Sequence, residues 1–230
     1  MSIYRKNNLQ PTYQSNKLQS PRGISYYIPV IAIVDYGMGN IRSAQRGFEH
    51  VGADVRVVQS PKEIEGARAI VVPGDGAFGK AMENLRAAGW VEPLQDWVAR
   101  GAPLLGICVG MQLLFDESEE MGQHQGLGIL RGSVKRFSNG LKVPQMGWNQ
   151  VSIRQANPFL RDVPDGGYVY FVHSYYCAPS DASVTLATTD YGIDFASIVA
   201  RDNVWGVQFH PEKSQQVGLK MLENFVAMTR

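Results

Sequence analysis

The chain has 230 residues, 44% hydrophobic and 19% charged, and its 22 basic and 21 acidic side chains leave a formal net charge of +1. That balance removes the electrostatic case for nucleic acid or an anionic membrane as a partner, and the length suffices for one buried core without disulfides or metals. Only Cys108 and Cys177 carry thiols, too few for a disulfide framework and suited to a reducing cytoplasm, and no apolar run of about 18 residues offers a membrane span.

Residues 1–29 stand apart. Arg5, Lys6, Lys17 and Arg22 are basic, no acidic residue precedes Asp35, and Ser, Asn, Gln and Pro fill the gaps. The segment reads as a disordered tail without the apolar centre of a secretory signal, though its composition also suits an organelle transit peptide. One domain is expected from residue 30 to residue 230. It opens on the apolar run Val30 to Val34, the pattern of a strand buried on both faces, followed by a glycine-rich turn over 36–40. Ile41, Ala44, Phe48 and Val51 then recur at helical spacing, and Gly52 closes the helix.

Further strands are expected at 54–58, 69–72 and 103–107. A helical stretch from 78 to 100 breaks near Gly89, and another helix opens over 111–115. Strands alternating with helices predict an α/β fold whose central, mostly parallel sheet is covered by helices on both faces. The second half reads as antiparallel strands at 134–137, 150–153, 168–176, 184–188, 196–200 and 204–209. A last helix has Val217, Met221, Leu222, Phe225 and Val226 as its apolar stripe.

Cys108 lies at the carboxyl end of the strand at 103–107, between Gly106 and Gly110. Functional groups of open α/β sheets collect at such strand ends. The Gly-x-Cys-x-Gly spacing matches a nucleophile elbow, a strained strand-to-helix turn that needs small neighbours. It sets the thiol at a helix N-terminus, where exposed N–H groups favour negative charge, and turns the Val109 amide toward an oxyanion on the substrate. A buried cysteine is more often a small core residue, so the elbow by itself leaves both readings open.

A nucleophile needs a base. His50 lies in a helix pattern and His124 in a polar loop, which marks both as surface residues, and His173 fits either core or pocket wall. His210 is the first residue past the strand at 204–209, with Glu212 two positions on, across Pro211. A strand-end imidazole with a nearby carboxylate supplies the base and the group that orients it, so Cys108, His210 and Glu212 read together as a catalytic triad. Their chain order, Cys, His, Glu, differs from the nucleophile, acid, histidine order of α/β-hydrolases.

With those residues placed, the chain resembles the class I, or triad, glutamine amidotransferases, whose elbow and histidine motifs stand here as GICVGMQLL and GVQFHPEKS. The motifs DYGMGN at 35–40, PGDGAF at 73–78 with Met82, PQMGWN at 144–149 and YFVHSY at 170–175 narrow the likeness to the glutaminase subunits of imidazole glycerol-phosphate synthases, over about residues 30 to 230. The resemblance implies the three-layer amidotransferase fold. It also implies hydrolysis of L-glutamine to glutamate and ammonia through a glutamyl thioester on Cys108, with no metal and no cofactor. The ammonia would pass through a tunnel to a (β/α)8 cyclase subunit, the partner in a heterodimer, which makes imidazole glycerol phosphate and AICAR.

On the same resemblance Gly76, Gln112, Glu120, Ser174 and Tyr175 hold the glutamine. Val109 gives one oxyanion N–H and the loop around Asp75 the second, while Asn40, Met146, Trp148, Asn149 and Lys213 face the barrel subunit. Asp75 departs from the family pattern, which has a small apolar residue there. A carboxylate beside a developing negative charge opposes it unless it is turned away. Other readings remain: the glutaminase subunit of a different synthase, which would lack the DYGMGN and QMGWN combination; a peptidase or γ-glutamyl hydrolase acting without a partner; and a silent scaffold that only regulates a barrel protein.

Overall fold

The computed structural model describes residues 30–137 and 140–229; the expected N-terminal tail lies outside them. The first half alternates strand and helix as the sequence implies: β1 (Val30–Val34), α1 (Ile41–His50), β2 (Asp54–Val58), β3 (Ala67–Gly74), α2 (Phe78–Ala87), α3 (Val91–Ala99), β4 (Leu104–Cys108) and the short α4 (Val109–Gln112). Short strands β5 (Glu117–Ser118), β6 (His124–Gln125) and β7 (Gly132–Arg136) follow. Then come β8 (Gln145–Gln150), β9 (Ser152–Ile153), β10 (Tyr168–His173), β11 (Tyr175–Pro179), β12 (Thr185–Asp190), β13 (Asp194–Arg201), β14 (Val204–Val207) and α5 (Gln215–Met228).

The main path of the large sheet runs β2-β1-β3-β4-β14-β13-β11-β7-β5-β6, with β2, β1, β3, β4 and β14 mutually parallel. Ile31, Ala32, Ile33 and Val34 are all fully buried. Successive side chains of a strand point to opposite faces, so this run is covered on both sides, which is why it is apolar without alternation. Phe48 of α1 meets Phe225 of α5 edge to face, with ring centroids 6.2 Å apart.

Four expectations need correction. The helix expected over 111–115 begins at Val109 and ends at Gln112, because the chain must turn away at once to reach β5. The strand expected at 150–153 is the end of a longer β8 and the separate β9, divided at the fully buried Val151. The stretch 168–176 is two strands in different sheets, split at Ser174: β10 pairs with β8 in a two-stranded ribbon, whereas β11 joins β7 and β13. And β14 is antiparallel only to β13; it lies parallel to β4, Val207 beside Ile107. That last pairing positions the site, because it brings the residue run after β14 out beside Cys108.

Candidate active site

Three parallel strand ends converge. Gly74 of β3 pairs with Cys108 of β4, and β14 delivers His210 on the other side. Cys108 has φ 57° and ψ −115°, a conformation that costs a non-glycine residue about 1–3 kcal/mol and persists only where surrounding structure enforces it. Here the neighbours enforce it. A Cβ on Gly110 would lie 1.8 Å from the carbonyl oxygen of Val72, and one on Gly106 would lie 2.6 Å from that of Gly110. Only glycines let the elbow pass this close to β3.

His210 is buried, and its Nδ1–H donates to Glu212 Oε1 at 2.9 Å, with both side chains almost wholly enclosed. Burial pulls His210 toward its neutral form. Hydrogen bonds to Cys108 and Glu212, with the negative charge of each, outweigh that and raise its pKa to about 10. An unfolded histidine titrates at about 6.5, so between there and about 10 the folded protein keeps a proton that the unfolded chain has released. The stabilisation is therefore full below about pH 6.5 and is lost as pH rises through about 10. His210→Gln is expected to flatten the alkaline fall of the thermal midpoint across that window; a fall as steep as wild type would assign it to another group.

The backbone around His210 is braced. Its N–H donates to the Tyr170 carbonyl at 3.0 Å, and Ser214 Oγ donates to the His210 carbonyl at 2.6 Å and accepts the Tyr170 N–H at 3.0 Å. Glu212 Oε2 is buried with no hydrogen-bond partner among the described residues, so packing adds to the single Oε1 bond in fixing the carboxylate. Part of that packing is Gly47 on α1, where an added Cβ would stand 2.9 Å from Glu212 Cβ and 3.0 Å from Leu222 Cδ1. Gly47→Ala is expected to shift Glu212 and lower turnover by about 10- to 100-fold with KM little changed. An unchanged kcat would show that Glu212 tolerates the displacement.

The triad opens onto a cleft of about 240 Å³, lined also by Asp75, Gly76, Val109, Gln112, Glu120, Ser174 and Tyr175. That is below the roughly 300–1,000 Å³ of pockets for drug-sized ligands and suits an amino acid. Every residue expected to hold substrate or oxyanion is thus on one cleft, drawn from segments far apart in sequence. Glu120 Oε2 also accepts the Phe78 N–H at 2.6 Å, tying the cleft wall to the start of α2. The Asp75 carboxylate is turned to the β1–α1 loop, where its Oδ1 accepts the Gly39 N–H at 2.9 Å.

Of the residues expected to face a partner, Met146 and Trp148 are 65% and 48% exposed on one face of the β8–β10 ribbon. Trp148 lies edge-on to Tyr170 at 6.1 Å. Lys213 is exposed, Asn149 Nδ2 donates to the Asp190 carbonyl at 2.8 Å, and Asn40 caps α1 by accepting the Ser43 N–H at 3.2 Å. Asn40 and Asn149 therefore have intramolecular work of their own.

Sequence reasoning missed Tyr36 and Gln208. The Tyr36 hydroxyl donates to the Pro73 carbonyl at 2.9 Å, and its pKa is driven up by burial and by the charges of Asp75 and Cys108. His173, left open between core and pocket, is both: it is buried, lines the cleft, and has its pKa lowered to about 4 by burial, which holds it neutral. Cys177 is wholly buried, which pushes its thiol well up and makes it a strand residue rather than a second nucleophile.

Residues 32–228 match the family model "Glutamine amidotransferase class-I". The chain is 54% identical over 203 residues to "Imidazole glycerol phosphate synthase subunit HisH" of Syntrophotalea carbinolica, covering 85% of this chain and 98% of that protein. It is 52% identical over 205 residues to the protein of the same name from Geobacter sulfurreducens, covering 86% and 98%. Among solved structures, "Structure of PurLQS from Thermotoga maritima" superposes with a TM-score of 0.71 over 89% of this chain and all of that one, at 18% identity, a likeness of fold alone.

Proposed function

Because the chain belongs to the class I glutamine amidotransferases, we propose that it is the glutaminase subunit of an imidazole glycerol phosphate synthase, releasing ammonia from L-glutamine for histidine biosynthesis. The observation that carries this reading is the Cys108–His210–Glu212 constellation at the head of an amino-acid-sized cleft.

Cys108 attacks the glutamine side-chain carbonyl as a thiolate, forming the S–C bond. The oxyanion is met by the Val109 N–H and by the backbone of the loop at Asp75. His210, already carrying its proton, gives it to the nitrogen as the C–N bond breaks and ammonia leaves. The now neutral imidazole takes a proton from water, whose hydroxide attacks the thioester and frees glutamate and the Cys108 thiolate. Glu212 holds His210 by its Nδ1–H and stabilises the imidazolium. Gly76, Gln112, Glu120, Ser174 and Tyr175 bind the rest of the glutamine.

A diazoketone analogue of glutamine tests the assignment. One label on Cys108, none on Cys177, and protection by glutamine are expected; labelling of Cys177, or no protection, would contradict it.

Ammonia passes to a (β/α)8 cyclase subunit, with the two chains forming a cytoplasmic heterodimer docked through Met146 and Trp148 and flanked by Asn40, Asn149 and Lys213. Two exposed, adjacent large side chains on a braced ribbon make good anchors for such an interface. Trp148→Ala is expected to weaken binding of the cyclase subunit by about 30-fold, the scale of an interface hot spot. A dissociation constant within about twofold of wild type would remove Trp148 from that interface.

A further inference from the structure

The segment that delivers His210 also carries Gln208, a fully buried side chain in an apolar run. Its backbone is fixed by donation to the Ser197 carbonyl at 2.9 Å. Gln208 Nε2 lies 4.0 Å from Cys108 Sγ, and Gln208 Oε1 accepts from Gln112 Nε2 at 3.1 Å.

The neighbours determine which way each amide points. Gln112 Nε2 also donates to the Tyr175 carbonyl at 3.1 Å. A carbonyl only accepts, so the Gln112 –NH₂ must face it, and Gln208 must offer its oxygen to the other Gln112 hydrogen. The Gln208 –NH₂ is left facing the sulfur. The Tyr175 carbonyl also takes the Nδ1–H of His173 at 2.8 Å, which makes His173 Nε2 the lone-pair nitrogen of a neutral ring. That nitrogen sits 2.9 Å from Gln145 Oε1, and two acceptors do not bond, so the Gln145 carboxamide is assigned the flipped orientation, with its –NH₂ toward the ring. Gln145 is buried on the strand that also carries the exposed Met146 and Trp148.

We propose that Gln208 is a positioning residue for the nucleophile: its carboxamide N–H holds the Cys108 sulfur as an anion, at the end of a hydrogen-bond chain running from Gln145 through His173, the Tyr175 carbonyl and Gln112. The role rests on Cys108 being the nucleophile. It explains why an otherwise apolar run just past β14 buries one amide beside the sulfur, where a leucine or methionine would fill the space at no polar cost. A hydrogen bond to an ionised group is the strong kind, and removing the donor lowers the fraction of the sulfur that is thiolate at neutral pH.

Two variants of the full chain test this. Gln208→Glu keeps the shape and the oxygen that Gln112 needs but removes the N–H facing the sulfur. Gln208→Met keeps the length and removes both polar atoms without adding charge. Alkylation of Cys108 by iodoacetamide is followed across pH by mass spectrometry, with circular dichroism reporting the fold.

Both variants are expected to react about tenfold more slowly near neutral pH, the scale of one charge-assisted hydrogen bond, and the acid limb of the profile is expected to move to higher pH. Glutaminase kcat falls with it, while the KM of Gln208→Glu, which keeps the contact to Gln112, stays within about twofold. A folded variant alkylated at the wild-type rate with the wild-type profile overturns the proposal. Alkylation reads the sulfur without glutamine, so a wild-type chain that releases no glutamate even with the cyclase subunit and its nucleotide substrate would instead count against the glutaminase reading.

Discussion

Cys108→Ala is expected to lower glutamate release by about 10⁴-fold or more, the loss typical of removing the nucleophile from a triad. The effect is large because the other parts have nothing to act on without it. His210 keeps Glu212 but loses the sulfur that helps hold its proton, and the oxyanion donors face a carbonyl that no nucleophile attacks. Folding should survive, since the side chain removed is small. A companion variant separates chemistry from strain. Cys108→Gly should be at least as stable as Cys108→Ala, although glycine ordinarily costs about 0.5–1 kcal/mol. Relief of the φ 57° conformation, about 1–3 kcal/mol, offsets that cost. Comparable thermal midpoints for the two inactive variants would support the strained elbow; a glycine variant clearly less stable would mean that Cys108 is relaxed.

Gly110→Ala is expected to damage fold and activity together. Its Cβ would stand 1.8 Å from the Val72 carbonyl oxygen, a β3 backbone atom held in the sheet, so β3 or the elbow must move. Overpacking at its upper end costs about 3 kcal/mol, and at about 2–4 °C per kcal/mol for a domain of this size the thermal midpoint should fall by roughly 10 °C. Displacing the nucleophile by an ångström costs on the order of 100-fold in rate. A variant melting within about 1 °C of wild type would show that β3 yields easily.

The features legible in the sequence are those written in local pattern. Val30–Val34 is apolar without alternation because both faces of β1 are covered, and the two glycines around Cys108 announce an elbow because nothing larger fits. What was hidden depends on distant partners. The stretch 168–176 keeps one strand-like pattern through Ser174, so its division between two sheets is invisible until β7, β8 and β13 are in place. The parallel pairing of β14 with β4, which carries His210 to Cys108, joins segments about a hundred residues apart. Most of β8 is illegible in the sequence because its largest side chains, Met146 and Trp148, point to solvent, against the burial rule that periodicity relies on. Gln208 is hidden for the opposite reason: one polar residue in an apolar run carries no signal until Cys108 and Gln112 are seen on either side of it.

On the proposed function, the triad is a glutaminase whose ammonia is handed to a barrel subunit. The most direct test is glutamate release from glutamine by the purified chain, alone and then with the cyclase subunit and its nucleotide substrate. Low release alone, a large rise in the complex, and loss of both on Cys108→Ala are expected. Full release without the partner would contradict the handover, and no release in either state would contradict the glutaminase itself.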